Sequence, residues 1–301
     1  MKSFVVCQLP KAGLGNQLFP LMHARLFAAL NKLDCKVVGY HQFKLGPYLR
    51  REKIKRNYSG YFNFEKSLFS EAIDKIGIRL RSANAGQILE PVMKVLQENE
   101  TQDKIFVFEK LPTYHDYFIQ LRDYRDQVRQ LLYSSLQQSV TDSMDRLPVP
   151  VIGVHIRMGD FRKLKKGEKF SGGHVRTPLD YFVQVIQGIR KIHGHDLPVS
   201  VFSDGYPEEL KEILLLPNVT MVEGNTDIQD LLLFSRSKIL VTTTGSTFSY
   251  WAAFLSDAPV ILHPDHIYAP FRPDYINERY YEGAFQPNSD LLLQNIKHIP
   301  Y

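Results

Sequence analysis

Residues 151–161 read VIGVHIRMGDF, an apolar run that ends in His155, Arg157 and Asp160. Alternate side chains of a β-strand share a face, so His155 and Arg157 point one way and Ile156 points into the core. Arg157 keeps its proton and presents a planar fork suited to phosphate or carboxylate. The competing role is structural: an Arg157–Asp160 ion pair closing a loop beside a core histidine. Three ionisable groups at one strand end favour the binding role.

Three other stretches offer related chemistry. In KAGLGNQLF (11–19), Gly13 and Gly15 lie between a strand and a helix. Their missing β-carbons would let backbone N–H groups approach an anion at the helix N-terminus, or would simply make a tight turn. A dinucleotide fingerprint would need a third glycine where Leu18 stands. Asn16 would either cap the helix or extend its amide toward a ligand. In FSDG (202–205), Asp204 ends a strand. Its carboxylate suits the adjacent N–H donors of a guanine Watson–Crick edge, or a turn before Pro207. In VTTTGSTFSYWAAF (241–254), a strand runs through Gly245 to Ser246 and Thr247 at a helix start, a pattern suited to phosphate or to ordinary capping. It is neither a G-x-S-x-G elbow nor a P-loop. The chain has no aspartate pair at D-x-D spacing, and His193 and His195 fall in a polar helix-end loop. No metal site is therefore read.

The elements that must position these residues alternate. SFVVCQL, KVVGY and KIFVFE read as strands, and NQLFPLMHARLFAALNKL as a helix carrying Pro20 in its early turns. FIQLRDYRDQVRQLLYSSLQQS reads as one long amphipathic helix, and TDSMDRLPVP (141–150) as a linker. The second half continues as strand–helix pairs and closes on PVILHP. Residues 41–103 show no sustained period. The expectation is α/β: two Rossmann-like domains with parallel sheets, residues 1–145 and 146–301, facing across a cleft. Ligands in such sheets bind beyond the carboxyl ends of the strands, where the polar residues above collect.

Composition narrows the class. The 301 residues are 44% hydrophobic and 23% charged, as in a globular protein. A net charge of +5 does not call for a nucleic-acid partner. No apolar run has membrane-spanning length and no secretory signal is read, so the expectation is a cytoplasmic protein. Cys7 and Cys35 make no disulfide framework. The basic clusters LRREKIKR (49–56) and RKLKKGEK (162–169) read as solvated faces, with peripheral membrane or glycolipid contact as the alternative.

GLGNQLF, GVHIRMGDF, FSDG and STFSYWAAFL occur in an order that resembles the α-1,2-fucosyltransferases, over residues 11 to about 262. The H-x-R-x-x-D core is similar to that of α-1,6- and protein O-fucosyltransferases as well. The resemblance implies a GT-B-like architecture with an N-terminal acceptor-side domain and a C-terminal nucleotide-sugar domain. It also implies a GDP-fucose donor, a glycan acceptor, inversion and no required metal or other cofactor. Carried over, His155 and Arg157 would contact GDP, with Arg157 on the β-phosphate, and Asp204 would read guanine. Ser246, Thr247 and Phe248 would line the donor site, and Gly13, Gly15 and Asn16 would approach it from the other domain. Met158 stands where many relatives carry a second arginine. An inverting transfer needs a base for the acceptor hydroxyl; Glu168, the only acid in FRKLKKGEKF, and Asp160 are the two candidates. The aromatic residues Tyr58, Tyr61, Phe62, Tyr114 and Tyr117, with His41 and His115, could stack on acceptor sugars or pack a core. The leading expectation is a galactoside α-1,2-fucosyltransferase. The alternatives are an NAD(P)-dependent oxidoreductase, from Gly13-x-Gly15, and a non-catalytic GDP- or glycan-binding protein.

Overall fold

The computed structural model describes residues 3–49, 51–53, 55–56, 58–83, 85–97, 100 and 102–300. The chain divides into two compact units, Met1–Phe43 with Asn57–Asp142, and Lys44–Arg56 with Ser143–Tyr301.

The first unit holds a four-stranded sheet of β1 (Phe4–Gln8), β2 (Asp34–Val38), β3 (Gly86–Leu89) and β4 (Lys104–Phe108), in the order β2-β1-β4-β3 and all parallel. Helix α1 (Leu14–Asn31) joins β1 to β2 and is buried along most of its length. It runs through Pro20, which is itself buried. Proline lacks an N–H, so the Asn16 carbonyl one turn earlier loses its helical donor; tertiary packing outweighs that loss. Lys32 ends the helix in the left-handed region, its φ of 51° allowing the chain to reverse. The short α2 (Gly46–Leu49) belongs to the second unit.

Two elements appear where no period was legible: β3, and α3 (Leu68–Ser82), capped by the Ser67 hydroxyl on the Ser70 N–H. The single helix expected over 118–139 is instead a turn and a 3₁₀ segment, then α4 (Arg125–Ser134) and α5 (Gln138–Met144). Asp116 accepts the Phe118 N–H at 3.2 Å and pairs with Arg122 at 2.5 Å, which sets the first turn. Residues 135–137 leave the helix because Leu136 bridges to Phe62 and the Gln137 N–H bonds the Tyr61 carbonyl at 2.9 Å. The expected linker is helical over its first four residues, 141–144.

The second unit holds a six-stranded parallel sheet of β5 (Ile152–Ile156), β6 (Val199–Ser203), β7 (Val219–Met221), β8 (Ile239–Val241), β9 (Val260–Leu262) and β10 (Glu282–Ala284). Its helices are α6 (Leu179–His193), α7 (Lys211–Leu214), α8 (Asp227–Ser235), α9 (Thr247–Leu255), α10 (Asp274–Asn277) and α11 (Asp290–Lys297). β10 lies beyond the strand expected to close the series. A fully buried Arg272 secures it, pairing with Glu282 at 3.0 Å and bonding the Ala258, Tyr280 and Tyr281 carbonyls. Burial of that guanidinium is tolerable because its donors are satisfied.

Strand period decides which side of β5 does what. Ile152, Val154 and Ile156 join Phe182, Val185, Ile186 and Ile189 of α6 in one buried cluster. Each such fully buried aliphatic side chain contributes about 1.5–3 kcal/mol. The odd residues, Gly153 and His155, therefore face away from that cluster, toward α8 and α9. A β-carbon on Gly153 would lie 2.9 Å from the Phe234 ring of α8, and His155 lies 5.9 Å from that ring, centroid to centroid.

Candidate active site

The order β10-β9-β8-β5-β6-β7 reverses direction between β5 and β8, because β6 and β7 follow β5 on one side while β8 to β10 build on the other. That reversal opens a crevice at the carboxyl ends of β5 and β8, where parallel sheets bind ligands. The register fixes what stands there. Ile156 pairs with Ser203, which brings the next residues, Arg157 and Asp204, level. Val154 pairs with Val241, so His155 comes level with Thr242.

Arg157 is the centre of a charge network. Its Nη1 lies 2.6 Å from Asp204 Oδ2, and its Nε and Nη2 donate to Asp160 Oδ1 at 3.2 and 2.7 Å. Asp204, buried, also accepts the Met158 N–H at 2.7 Å. Both of its oxygens are thus engaged within the unit. Asp160 takes a second guanidinium: Arg56 Nη1 and Nη2 stand 3.1 and 3.0 Å from its two oxygens. Burial alone would raise the Asp160 carboxyl, but Arg157 and Arg56 outweigh it and hold the group well below the ordinary carboxylate range. Gly159 makes this approach feasible, since a β-carbon there would lie 2.3 Å from Asp204 Oδ2. Sequence reading treated the run containing Arg56 as a solvated face. Instead Glu52 is buried, and Arg56 is about as covered, its side chain 10% exposed.

His155 is buried on the other side of the crevice. Its Nδ1 is 2.7 Å from Ser249 Oγ, and its ring stacks on Phe248 with centroids 4.6 Å apart. Burial drives its pKa down to about 3; Asp204 opposes and Arg157 adds to that shift. The imidazole is therefore neutral near pH 7. Ser249 Oγ also accepts the Thr243 N–H at 3.1 Å, and Thr243 Oγ1 donates to the His155 carbonyl at 2.6 Å and accepts the Arg157 N–H at 3.0 Å. These bonds tie the ends of β5 and β8 to the first turn of α9. Neither Thr243 nor Ser249 carried a signal in the sequence beyond the hydroxyl-rich run itself.

Ser246 is the N-cap residue of α9 and makes no side-chain cap bond, and Thr247 is its first helical residue. The turn is tight: Gly245 has φ 78°, and a β-carbon there would lie 2.5 Å from the Gly173 carbonyl. Gly173 belongs to the 161–176 loop, which also carries Glu168. That carboxylate is bidentate with Arg162, at 2.5 and 2.7 Å, and accepts the Lys165 N–H at 2.9 Å. Those bonds, Arg162 foremost, lower its pKa to about 2. The lysines around it are exposed, as expected of a solvated face.

Gly13, Gly15 and Asn16 belong to the first unit. Gly13 is the N-cap of α1, so Asn16 stands at the third helical position and does not cap. Gln17, unremarked in the sequence, is buried and donates to the Pro10 carbonyl at 3.0 Å, fixing the β1 exit. β2 begins with its acid, Asp34, and ends on Val38, without the terminal acid a dinucleotide ribose would need. Of the aromatic set, Tyr58, Tyr61, Phe62 and Tyr117 are buried, whereas Tyr114 and His115 are exposed. His193 Nε2 donates to the Ile299 carbonyl at 3.0 Å, and no group of three or more metal-binding side chains occurs among the described residues. No helix among them is long and apolar enough to cross a membrane.

The chain resembles several solved structures. NodZ alpha-1,6-fucosyltransferase, in a crystal structure soaked with GDP-fucose, shares its fold at 16% identity and TM-score 0.50, over 87% of this chain and 95% of that one. POFUT1 in complex with GDP-fucose matches at 14% identity and TM-score 0.49, over 94% and 97%. A mutant of Arabidopsis thaliana FUT1 in complex with GDP matches at 14% identity and TM-score 0.45, over 86% and 70%. No curated protein matches the sequence. The model of glycosyl transferase family 11 matches residues 96–271, from before β4 through β9 and including the whole β5–β8 crevice. With more than half its length so matched, the chain belongs to glycosyl transferase family 11.

Proposed function

We propose that the protein transfers fucose from GDP-fucose to a glycan hydroxyl with inversion, forming an α-1,2 link to a galactoside. The observation that carries the proposal is Arg157: a guanidinium at the sheet's reversal point, oriented by Asp160 and Asp204 on two sides. The names of the structural neighbours, which bind GDP-fucose or GDP, support the choice of donor.

In the transfer, the acceptor oxygen attacks the anomeric carbon and the bond from that carbon to the β-phosphate oxygen breaks. GDP departs with the bonding electrons, and the hydroxyl proton goes to a base. Negative charge grows on the β-phosphate, and preorganised donors aimed at growing charge are the strongest catalytic device a site of this kind has. Arg157 fills that role. The N-terminus of α9, with Ser246 and Thr247, adds N–H and hydroxyl donors for the pyrophosphate. Neutral His155 is assigned a hydrogen bond to the donor: with Nδ1 accepting from Ser249, Nε2 carries the proton to give. These groups stabilise the leaving diphosphate by themselves, and no metal is assigned a role.

The pattern of contacts divides the two candidate bases. Asp160, clamped by two guanidiniums, suits the work of orienting Arg157. Glu168 is held by an exposed arginine and a main-chain N–H, partners that an acceptor could displace, and is the better choice of base. Asp204 serves Arg157 through Oδ2, and guanine selectivity is the test of its second assignment. Incubation with GDP-fucose and lactose in EDTA, followed by linkage analysis, tests the whole proposal. An α-1,2-fucosylated product supports it. GDP binding without turnover on any galactoside would favour a binding protein instead.

A further inference from the structure

We propose that Arg56 is a second guanidinium for the donor's diphosphate, carried to the β5 exit by the Lys44–Arg56 segment. This rests on the reading of the β5–β8 crevice as a GDP-fucose site.

Two guanidiniums converge on one two-oxygen anion. Arg56 reaches both oxygens of Asp160, at 3.0 and 3.1 Å, and Arg157 reaches Oδ1 from its own side, at 2.7 Å. Paired forks on adjacent anionic oxygens are the geometry with which proteins hold phosphate. Asp160 is the more open partner, its side chain 34% exposed against 10% for Arg56. The carboxylate thus stands where a phosphate would meet both cations, and a phosphate can share or replace it.

The segment is anchored at successive strand exits. The Arg51 carbonyl accepts from the Tyr206 hydroxyl at 3.0 Å beyond β6, and Lys53 pairs with Glu223 at 2.8 Å beyond β7. Arg56 itself pairs with buried Glu52 at 2.7 Å. Arg51 and Arg56 both adopt left-handed backbone, with φ of 53° and 57°. For a non-glycine residue that conformation is strained, and it persists where the surroundings over-determine it. The Arg56 guanidinium also passes close over Gly159, 3.2 Å from the position a β-carbon would take. Lys44 stands nearby, and burial, followed by the charge of Arg56, lowers its pKa to about 8. An incoming dianion relieves that crowding of positive charge.

The role predicts discrimination by phosphate number, which a purely structural staple would not give. Calorimetric titration of wild type, Arg56→Gln and Arg56→Lys with GDP and GMP reads it. Arg56→Gln is expected to weaken GDP about tenfold or more, the worth of a charged hydrogen bond, and to leave GMP within about twofold. Arg56→Lys keeps the charge but loses the fork, and is expected to fall between; it also serves as the reading if the Gln variant does not fold. A GDP-to-GMP ratio unchanged from wild type in the folded variants overturns the role of Arg56 alone. A wild type that binds no GDP overturns the site reading and Arg56 with it.

Discussion

Two glycine turns look alike in the sequence and differ in the structure. Each lies between a strand and a helix. In the first unit, Gly13 has φ −64°, and a β-carbon on it would meet nothing nearer than the Tyr58 hydroxyl at 3.9 Å. In the second, Gly245 is left-handed and would collide with the Gly173 carbonyl. The fold requires glycine at 245 and does not require it at 13. A glycine that cannot be replaced says that the chain turns there; one whose backbone and space accept alanine leaves a ligand contact to be tested. The Gly245 turn leads from β8 into α9, whose Ser249 hydroxyl lies 2.7 Å from the His155 imidazole, which is what that turn positions.

The largest effect that sharpens this contrast belongs to Arg157. Arg157→Ala is expected to lower kcat by about a hundredfold to a thousandfold, the loss seen when one donor to a growing charge is removed. Its far-ultraviolet circular dichroism should match wild type. Near-normal turnover would remove Arg157 from the mechanism.

Gly245→Ala comes next. Left-handed strain and overpacking together should cost about 2–5 kcal/mol, read as a lowered denaturation midpoint. A midpoint within error of wild type would show that the Gly173 contact yields, and the two turns would then be equivalent.

Acid acts on both units through buried histidines, His23 in the first and His155 and His266 in the second, where burial lowers His266 to about 4. Burial lowers His23 in the first unit to about 4 and His155 in the second to about 3, from 6.5. All three folded values lie below the unfolded one, so as pH falls through 6.5 the unfolded chain takes up protons first. Stability is full above about pH 6.5 and declines toward the folded values. At pH 5 each histidine should cost about 2 kcal/mol relative to pH 7.5. His23→Phe, which keeps a ring against Phe108, should remove about a third of the acid slope that these histidines give in chemical denaturation. An unchanged slope would mean that His23 is not buried neutral.

Gly13→Ala should have the smallest effect on stability, within about 1 kcal/mol, because the entropy removed from the unfolded chain and the poorer N-cap oppose each other. If it leaves the melt intact and abolishes donor binding, a ligand approaches that turn closely, the first of the two readings that the sequence offers. If both are unchanged, the turn is only a turn.

What was legible follows from how each feature is encoded. Parallel strands buried on both faces show as apolar runs, so β5, β6, β8 and β9 stood out, and with them the polar residues at their ends. α3 carries Phe69, Ile73, Ile76 and Leu80 at helical spacing, a period too short to stand out within residues 41–103, and the structure leaves all four exposed. The break between α4 and α5 depends on a bridge to Phe62, far away in sequence. Arg56 was hidden for the same reason: it meets Asp160 across 104 residues, and a local run of basic residues looks the same whether solvated or folded into a site. The sequence pointed to Asp204 as a base reader; that its Oδ2 holds Arg157 is a fact of register, which no single segment carries.

The central claim is that the β5–β8 crevice binds a guanosine diphosphate without a metal. Calorimetric titration of the protein with GDP, UDP and NAD in EDTA tests it most directly. The account predicts binding of GDP, much weaker binding of UDP and none of NAD. No binding of GDP, or a preference for NAD, would contradict it, and would return Arg157, Asp160 and Asp204 to the role of a charged staple closing a loop.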